Sequence, residues 1–159
     1  MWDLSSQSVR ELISGVRDYY GEGCFACGGA NPHGLRMEGF RTHDGYAVAD
    51  FHPREELRGT YGTLHGGVVT TTLDEISVWA AILSHHTMVV TGRIEVRFHR
   101  PARVDDPGLL VRGRVTERRG KRLVIGAELL SGEAVCASSE GLFIATESLE
   151  EMGIRLRDG

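Results

Sequence analysis

Asp74 and Glu75 stand side by side in the most apolar part of the chain, and between His65 and His85 they are the only charged side chains. Around them Val69, Leu73, Ile76, Ala80 and Leu83 recur on one face of a 3.6-residue period, and Val68, Val78, Trp79, Ala81 and Ile82 fill the remaining angles. A helix that is apolar nearly all round is normally enclosed by its own protein. Residues 65–86 are therefore expected to form a central helix carrying two buried acids. A buried carboxylate loses hydration and is kept where it is hydrogen-bonded, paired or chemically used. At about 100° per residue, Asp74 lies beside Val78 and Ala81, and Glu75 among Val68, Trp79 and Ile82. Different surroundings imply different roles; the competing expectation is pairing with arginines from neighbouring strands.

The rest of the chain supplies what would enclose such a helix. Ser8 and Glu11 form a capping-box pattern ahead of Val9, Leu12, Ile13, Val16 and Tyr20, so residues 1–20 are expected as an N-terminal helix. GEGCFACGGANPHG at 21–34 reads as a loop packed on a sheet edge, and YAVADFH at 46–52 as a strand. Four strand-like segments follow the central helix, at 88–100, 109–118, 121–131 and 134–146. In the first, Ile94, Val96 and Phe98 alternate with Arg93, Glu95, Arg97 and His99, giving one dry and one polar face. The basic turn RRGKR and Ser131-Gly132-Glu133 suit antiparallel hairpins. One long helix followed by a meander predicts an α+β fold in which an antiparallel sheet wraps the helix, with 21–159 as a single domain after the helix at 1–20.

Composition removes several function classes. With 159 residues, 41% of them hydrophobic, the chain can bury a core, and a formal net charge of -4 leaves no basic footprint for nucleic acid. The longest apolar run, VWAAIL at 78–83, is too short to span a bilayer, and the start MWDLSSQS lacks a signal-peptide pattern. No membrane partner is expected. The three cysteines do not suit a disulfide framework, so the cytoplasm is the expected location. Cys24-x-x-Cys27 near His33 invites a zinc reading, but a structural site wants four ligands and no second CxxC exists. No metal or other cofactor is expected. No GxSxG elbow supports a serine hydrolase, and His85-His86 reads as a helix end, where cationic or polar groups are favoured.

His65-Gly66-Gly67 opens the central helix, where backbone N–H groups and the positive end of the dipole point outward. Gly66 and Gly67 admit close approach of a carbonyl that gains negative charge. Nine residues at about 1.5 Å each separate His65 from Asp74 by roughly 13 Å, too far to act on one carbonyl from a single helix. Two copies with helices side by side would bring one helix start to the other's carboxylate.

Together, CFACGGANPHGLRM, GTLHGGVVTTTLDE, VVTGRIEVRFHRPA and a closing meander ending in GLFIA resemble the hotdog thioesterases of the phenylacetyl-CoA thioesterase type, within the 4-hydroxybenzoyl-CoA thioesterase superfamily. The resemblance covers nearly all of 24–146. It implies a hotdog fold, a homodimer or dimer of dimers, and hydrolysis of an acyl-CoA with no metal or redox cofactor. The family's catalytic acid, nine positions after the His of HGG, falls on Asp74, with Glu75 as second choice, and it acts either as general base on water or as nucleophile on the thioester. Its backbone donor falls on Gly66, and a hydroxyl residue ten positions before the proline of the long strand falls on Thr91. Many relatives carry an Asn six residues before the His, where this chain has Gly59; either His65 compensates or the carbonyl is held by backbone donors alone. Coenzyme A phosphates call for cations, and Arg93, Arg97, Arg100, Arg119, Lys121 and Arg122 are the candidates. The alternative expectation is a non-catalytic hotdog module that binds acyl-CoA or lipid.

Overall fold

A computed structural model describes residues 6–155. Helix α1 spans Ser6–Tyr20 and buries Val9, Leu12 and Val16, three positions at helical spacing. Because α1 already includes Ser6, Ser8 lies inside its first turn instead of ahead of it, so the capping box is not where the helix starts. The Arg17 guanidinium donates to the carbonyl of Cys27 at 3.1 Å and ties α1 to the loop that follows.

The strands β1 (Glu38–His43), β2 (Tyr46–Phe51), β3 (Thr87–Phe98), β4 (Leu109–Arg119), β5 (Arg122–Ser131) and β6 (Ala134–Ser148) form one sheet in the order β1-β2-β4-β5-β6-β3, with every pairing antiparallel. The four segments expected after the central helix are all strands. β1 was not foreseen: its sequence EGFRTH is polar, and it buries only Phe40. The two hairpins of the meander turn at Gly120 and Gly132, both with positive φ, a conformation glycine adopts without steric cost.

Helix α2 (Gly66–His85) lies against β2, β3, β4 and β5. Its Leu73, Ile76, Trp79, Ala80, Ile82 and Leu83 join Phe51, Val111, Leu123, Ile125, Leu129 and Phe143 of the sheet in one core. Phe40 stacks on Trp79 with ring centroids 4.7 Å apart. A Cβ on Gly113 would stand 3.2 Å from the carbonyl oxygen of Ile76, so glycine there allows the helix to sit close on β4. The helix stops at His86, whose left-handed backbone (φ 48°, ψ 43°) lets its N–H reach the carbonyl of Ile82.

Enclosure of α2 is incomplete. Gly67 is exposed and Thr71, Asp74 and Val78 are only half-buried, which leaves an open flank beside β3. β3 is the last strand in the order, hydrogen-bonded on one side only, and its Val90 and Phe98 are 55% and 58% exposed. Among the described residues no helix is long and apolar enough to cross a membrane.

Candidate active site

The two acids of α2 face different neighbours, as the helical angle requires. The hydroxyl of Thr91 donates to Oδ1 of Asp74 at 2.6 Å. Glu75 instead accepts from the indole N–H of Trp79 at 2.9 Å, and Sγ of Cys24 lies 3.8 and 3.9 Å from its two oxygens. No arginine of the sheet pairs with either acid among the described residues, so the ion-pair expectation is not met. The loop 21–34, expected on the sheet edge, reaches α2 through these cysteine contacts.

A backbone irregularity aims Thr91. Along β3, Arg93, Glu95 and Arg97 pair with Leu142, Glu140 and Ser138 of β6, while Thr91 pairs with the fully buried Phe143. From Thr91 to Arg93 the chain takes two steps where β6 takes one, so Gly92 is the extra residue of a β-bulge. Strict alternation would turn Thr91 to the same face as Arg93. The bulge turns it to the helix-facing side, where it stays exposed and bonds Asp74. A Cβ on Gly92 would stand 3.1 Å from the carbonyl of Leu142, which explains why the smallest residue fills this position.

At the other end of the helix, His65 is the N-cap: its Nδ1 accepts from the N–H of Gly67 at 3.0 Å. The carbonyl of His65 accepts from Val68 and Val69. The Gly67 amide, expected to face a ligand, is thereby already engaged. The Gly66 amide makes no hydrogen bond with the described residues, and Gly66 lines a groove of about 430 Å³ together with Val69, Phe98, His99, Arg100 and Cys136 among others. Gly59 bonds to Thr63 and would bring a Cβ to 3.2 Å from Cα of His65. Position 59 thus adjoins the helix start, yet as glycine it offers no side-chain donor.

The basic residues do not converge on Asp74 within one chain. Arg93 and Arg97 are on the sheet face opposite Thr91, Arg97 3.4 Å from Glu95. Arg119, paired with Glu117, and Lys121 lie at the β4–β5 turn, and Arg122 is Arg119's cross-strand partner. Of these candidates Arg100 alone lines the groove at Gly66. Phe98, His99 and Val69 were missed as lining residues; the one signal for them was the run FHRP beside the helix-start motif, whose proximity only the fold reveals.

Electrostatically, Glu75 is the perturbed acid. Burial, reinforced by the Cys24 thiolate, pushes its carboxyl up from 4.5 to about 7. Cys24 is pulled down to about 5, first by the hydrogen bond from the Cys27 thiol and then by the amides of Cys27, Ala26 and Gly28 acting against burial. Cys27 is held protonated by that same bond and by burial.

A six-stranded antiparallel sheet wrapped on one long helix is the hotdog fold. Residues 61–137 match the family model described as the thioesterase superfamily. Among solved structures, the PaaI protein of the phenylacetic acid degradation operon of E. coli superposes with a TM-score of 0.70 at 17% identity, over 87% of this chain and 96% of that one. The smu.793 protein of Streptococcus mutans UA159, solved with acetyl-CoA, gives 0.62 at 21% identity over 70% and 88%. A hypothetical thioesterase of Streptococcus pneumoniae TIGR4, solved with coenzyme A, gives the same four values: 0.62, 21%, 70% and 88%. No curated protein sequence matches the chain. The chain has the hotdog fold, and its residues 61–137 are similar to the thioesterase superfamily.

Proposed function

We propose that this protein hydrolyses an acyl-CoA thioester to the free acid and CoA, at a site completed by two copies of the chain. The observation that carries the reading is the 2.6 Å bond from Thr91 to Asp74, which fixes one carboxylate oxygen and leaves the other for a water molecule. Asp74 takes a proton from that water as its oxygen attacks the thioester carbonyl. The oxyanion that forms needs a backbone donor, and the uncommitted Gly66 amide is suited to it. Collapse of the tetrahedral intermediate breaks the C–S bond, and the departing thiolate takes up a proton. In solved structures of the S. pneumoniae protein an aspartate and a threonine were each replaced by alanine, the same two residue types as this pair. Acetyl-CoA and coenzyme A in two neighbours support the substrate class.

Gly66 and Asp74 are eight residues apart on one helix, about 12 Å along its axis, too far to share a carbonyl. The open flank of α2 and the one-sided strand β3 lie together. Two copies joined along β3 would run their α2 helices antiparallel, with Gly66 of one facing Asp74 of the other. The sheet's Arg93 and Arg97, remote from Asp74 of their own chain, would then act near a second copy's groove, beside Arg100.

Thiol release from short, medium, long and aryl acyl-CoAs tests the activity, comparing wild type with Asp74→Ala and Glu75→Ala. Turnover abolished by Asp74→Ala and retained by Glu75→Ala is expected. Tight acyl-CoA binding without turnover on any substrate would overturn hydrolysis in favour of a binding module. For the shared site, Val78→Lys on the open flank should yield inactive monomers in sedimentation and assay; a fully active monomer would remove it.

A further inference from the structure

Two thiols and a carboxylate meet where the loop after α1 lies on α2. One ligand atom each from Cys24, Cys27 and Glu75 falls within 4.8 Å of the others, and among the described residues no cation is paired with them. We propose that Cys24, Cys27 and Glu75 bind a divalent transition-metal ion, zinc by the softness of this donor set, with water in a fourth position.

The spacing is close to what a tetrahedral ion needs. Zinc–sulfur bonds of about 2.3 Å and zinc–oxygen bonds of about 2.1 Å set ligand atoms roughly 3.6 Å apart. Cys24 Sγ already stands 3.8 and 3.9 Å from the oxygens of Glu75. The turn is shaped around the sulfur: the N–H of Cys27 points at Sγ of Cys24 at 3.5 Å, and the N–H of Gly28 bonds the Cys24 carbonyl at 2.9 Å. A Cβ at Gly28 would stand 2.3 Å from the Glu22 carbonyl oxygen and 2.6 Å from the Cys24 nitrogen, so no larger residue fits the turn. Backbone N–H groups aimed at a sulfur stabilise it as thiolate, the form that ligates metal. The carboxylate is oriented by a hydrogen bond from the Trp79 indole N–H, much as the ligands of metal sites are held by donors that do not themselves touch the ion.

Counting cysteines and histidines in the sequence offered Cys24, Cys27 and His33 and did not point to Glu75, which comes from α2, some fifty positions away. An ion here would clip the loop 21–34 to the central helix. It would stand apart from the Asp74–Thr91 pair, since Glu75 faces the loop and Asp74 faces β3. Cys24 is exposed, which leaves room for water at the fourth position.

The test uses the full chain, purified under reductant, stripped with chelator and titrated with cobalt(II), then with zinc. One equivalent of cobalt should give thiolate-to-metal charge-transfer absorption and the intense visible bands of four-coordination, and zinc should displace it. Zinc should raise the Tm of the wild type and of Asp74→Ala, whose binding does not depend on any hydrolytic role. Cys24→Ser and Glu75→Gln should keep the wild-type circular dichroism and lose both the absorption and the zinc-dependent rise in Tm. Cobalt binding without thiolate bands, variants that bind as the wild type does, or a Cys24–Cys27 disulfide that persists under reductant would each overturn the proposal.

Discussion

Thr91 donates its hydroxyl to Asp74 across 2.6 Å from a strand position that unbroken alternation would turn to the opposite face. Removing either partner leaves the other's polar atom beside the open flank of the helix. Asp74→Asn should lower kcat against the best acyl-CoA by at least about 10², the lower range for a positioned general base. Thr91→Ala should lower kcat with little change in KM, and Thr91→Ser should restore most of it. Steady-state kinetics on the three variants checks this; an effect of Thr91→Ala confined to KM would mean that the hydroxyl binds substrate instead of holding the acid.

Gly92 owes its importance to the bulge. An added methyl meets the Leu142 carbonyl at 3.1 Å, so Gly92→Ala must shift the local pairing of β3 with β6. Activity should fall nearly as far as in Thr91→Ala, although the Thr91 hydroxyl is intact. Crystallography of the variant should show that hydroxyl moved away from Asp74. Full activity would show that the bulge tolerates a side chain.

The Gly66 amide can be deleted without disturbing the helix. Proline is well suited to the first helical position and lacks the N–H, and the preceding His65 already has the extended backbone (φ -61°, ψ 135°) that a residue before proline adopts. The space beside Gly66 is ordinary contact with Phe98 at 3.5 Å. Gly66→Pro should therefore fold normally and lose about 10² to 10³ in kcat, as removal of one oxyanion donor does. Unchanged turnover would assign the oxyanion to another donor.

Glu75 makes the metal-free protein sensitive to pH. Its carboxyl is raised from 4.5 to about 7 on folding, so the folded state holds the proton more tightly than the unfolded state. The stability it contributes is complete below 4.5, declines as pH rises from there to about 7, and changes no further above; the rise corresponds to at most about 3 kcal/mol. Glu75→Gln should remove that decline and be more stable than the wild type at pH 8 in the presence of chelator. Urea unfolding of both proteins across pH 4 to 8 reads the difference. A wild type more stable than the variant at pH 8 would contradict the direction.

The parts of this molecule that announce themselves in sequence are those with local causes. The span of α2 follows from its apolar period, the glycine pair at its start and His86 at its end; the meander follows from alternation and from Gly120 and Gly132. β1 escaped because it is an edge strand that buries one phenylalanine, so its sequence carries almost no period. The candidate site was legible in residue type but not in geometry. Asp74, Thr91 and Gly66 occupy places that suit their expected chemistry, yet nothing local says that an extra residue at 92 re-aims Thr91. Capture of the Gly67 amide by the His65 ring, and the meeting of Glu75 with Cys24, depend likewise on side-chain orientation and on contacts between distant segments.

The register of β3 on β6 makes the order of synthesis matter. Asp74 can take its place on a formed helix early, but Thr91 is aimed only when it faces Phe143, fifty-two residues further along the chain. A polypeptide that has emerged through β5 holds every residue of the acid-hydroxyl pair and lacks the template that orients it. Hydrolytic competence would then arrive last, as a property of the finished sheet, and would report on completed folding more faithfully than helix content does.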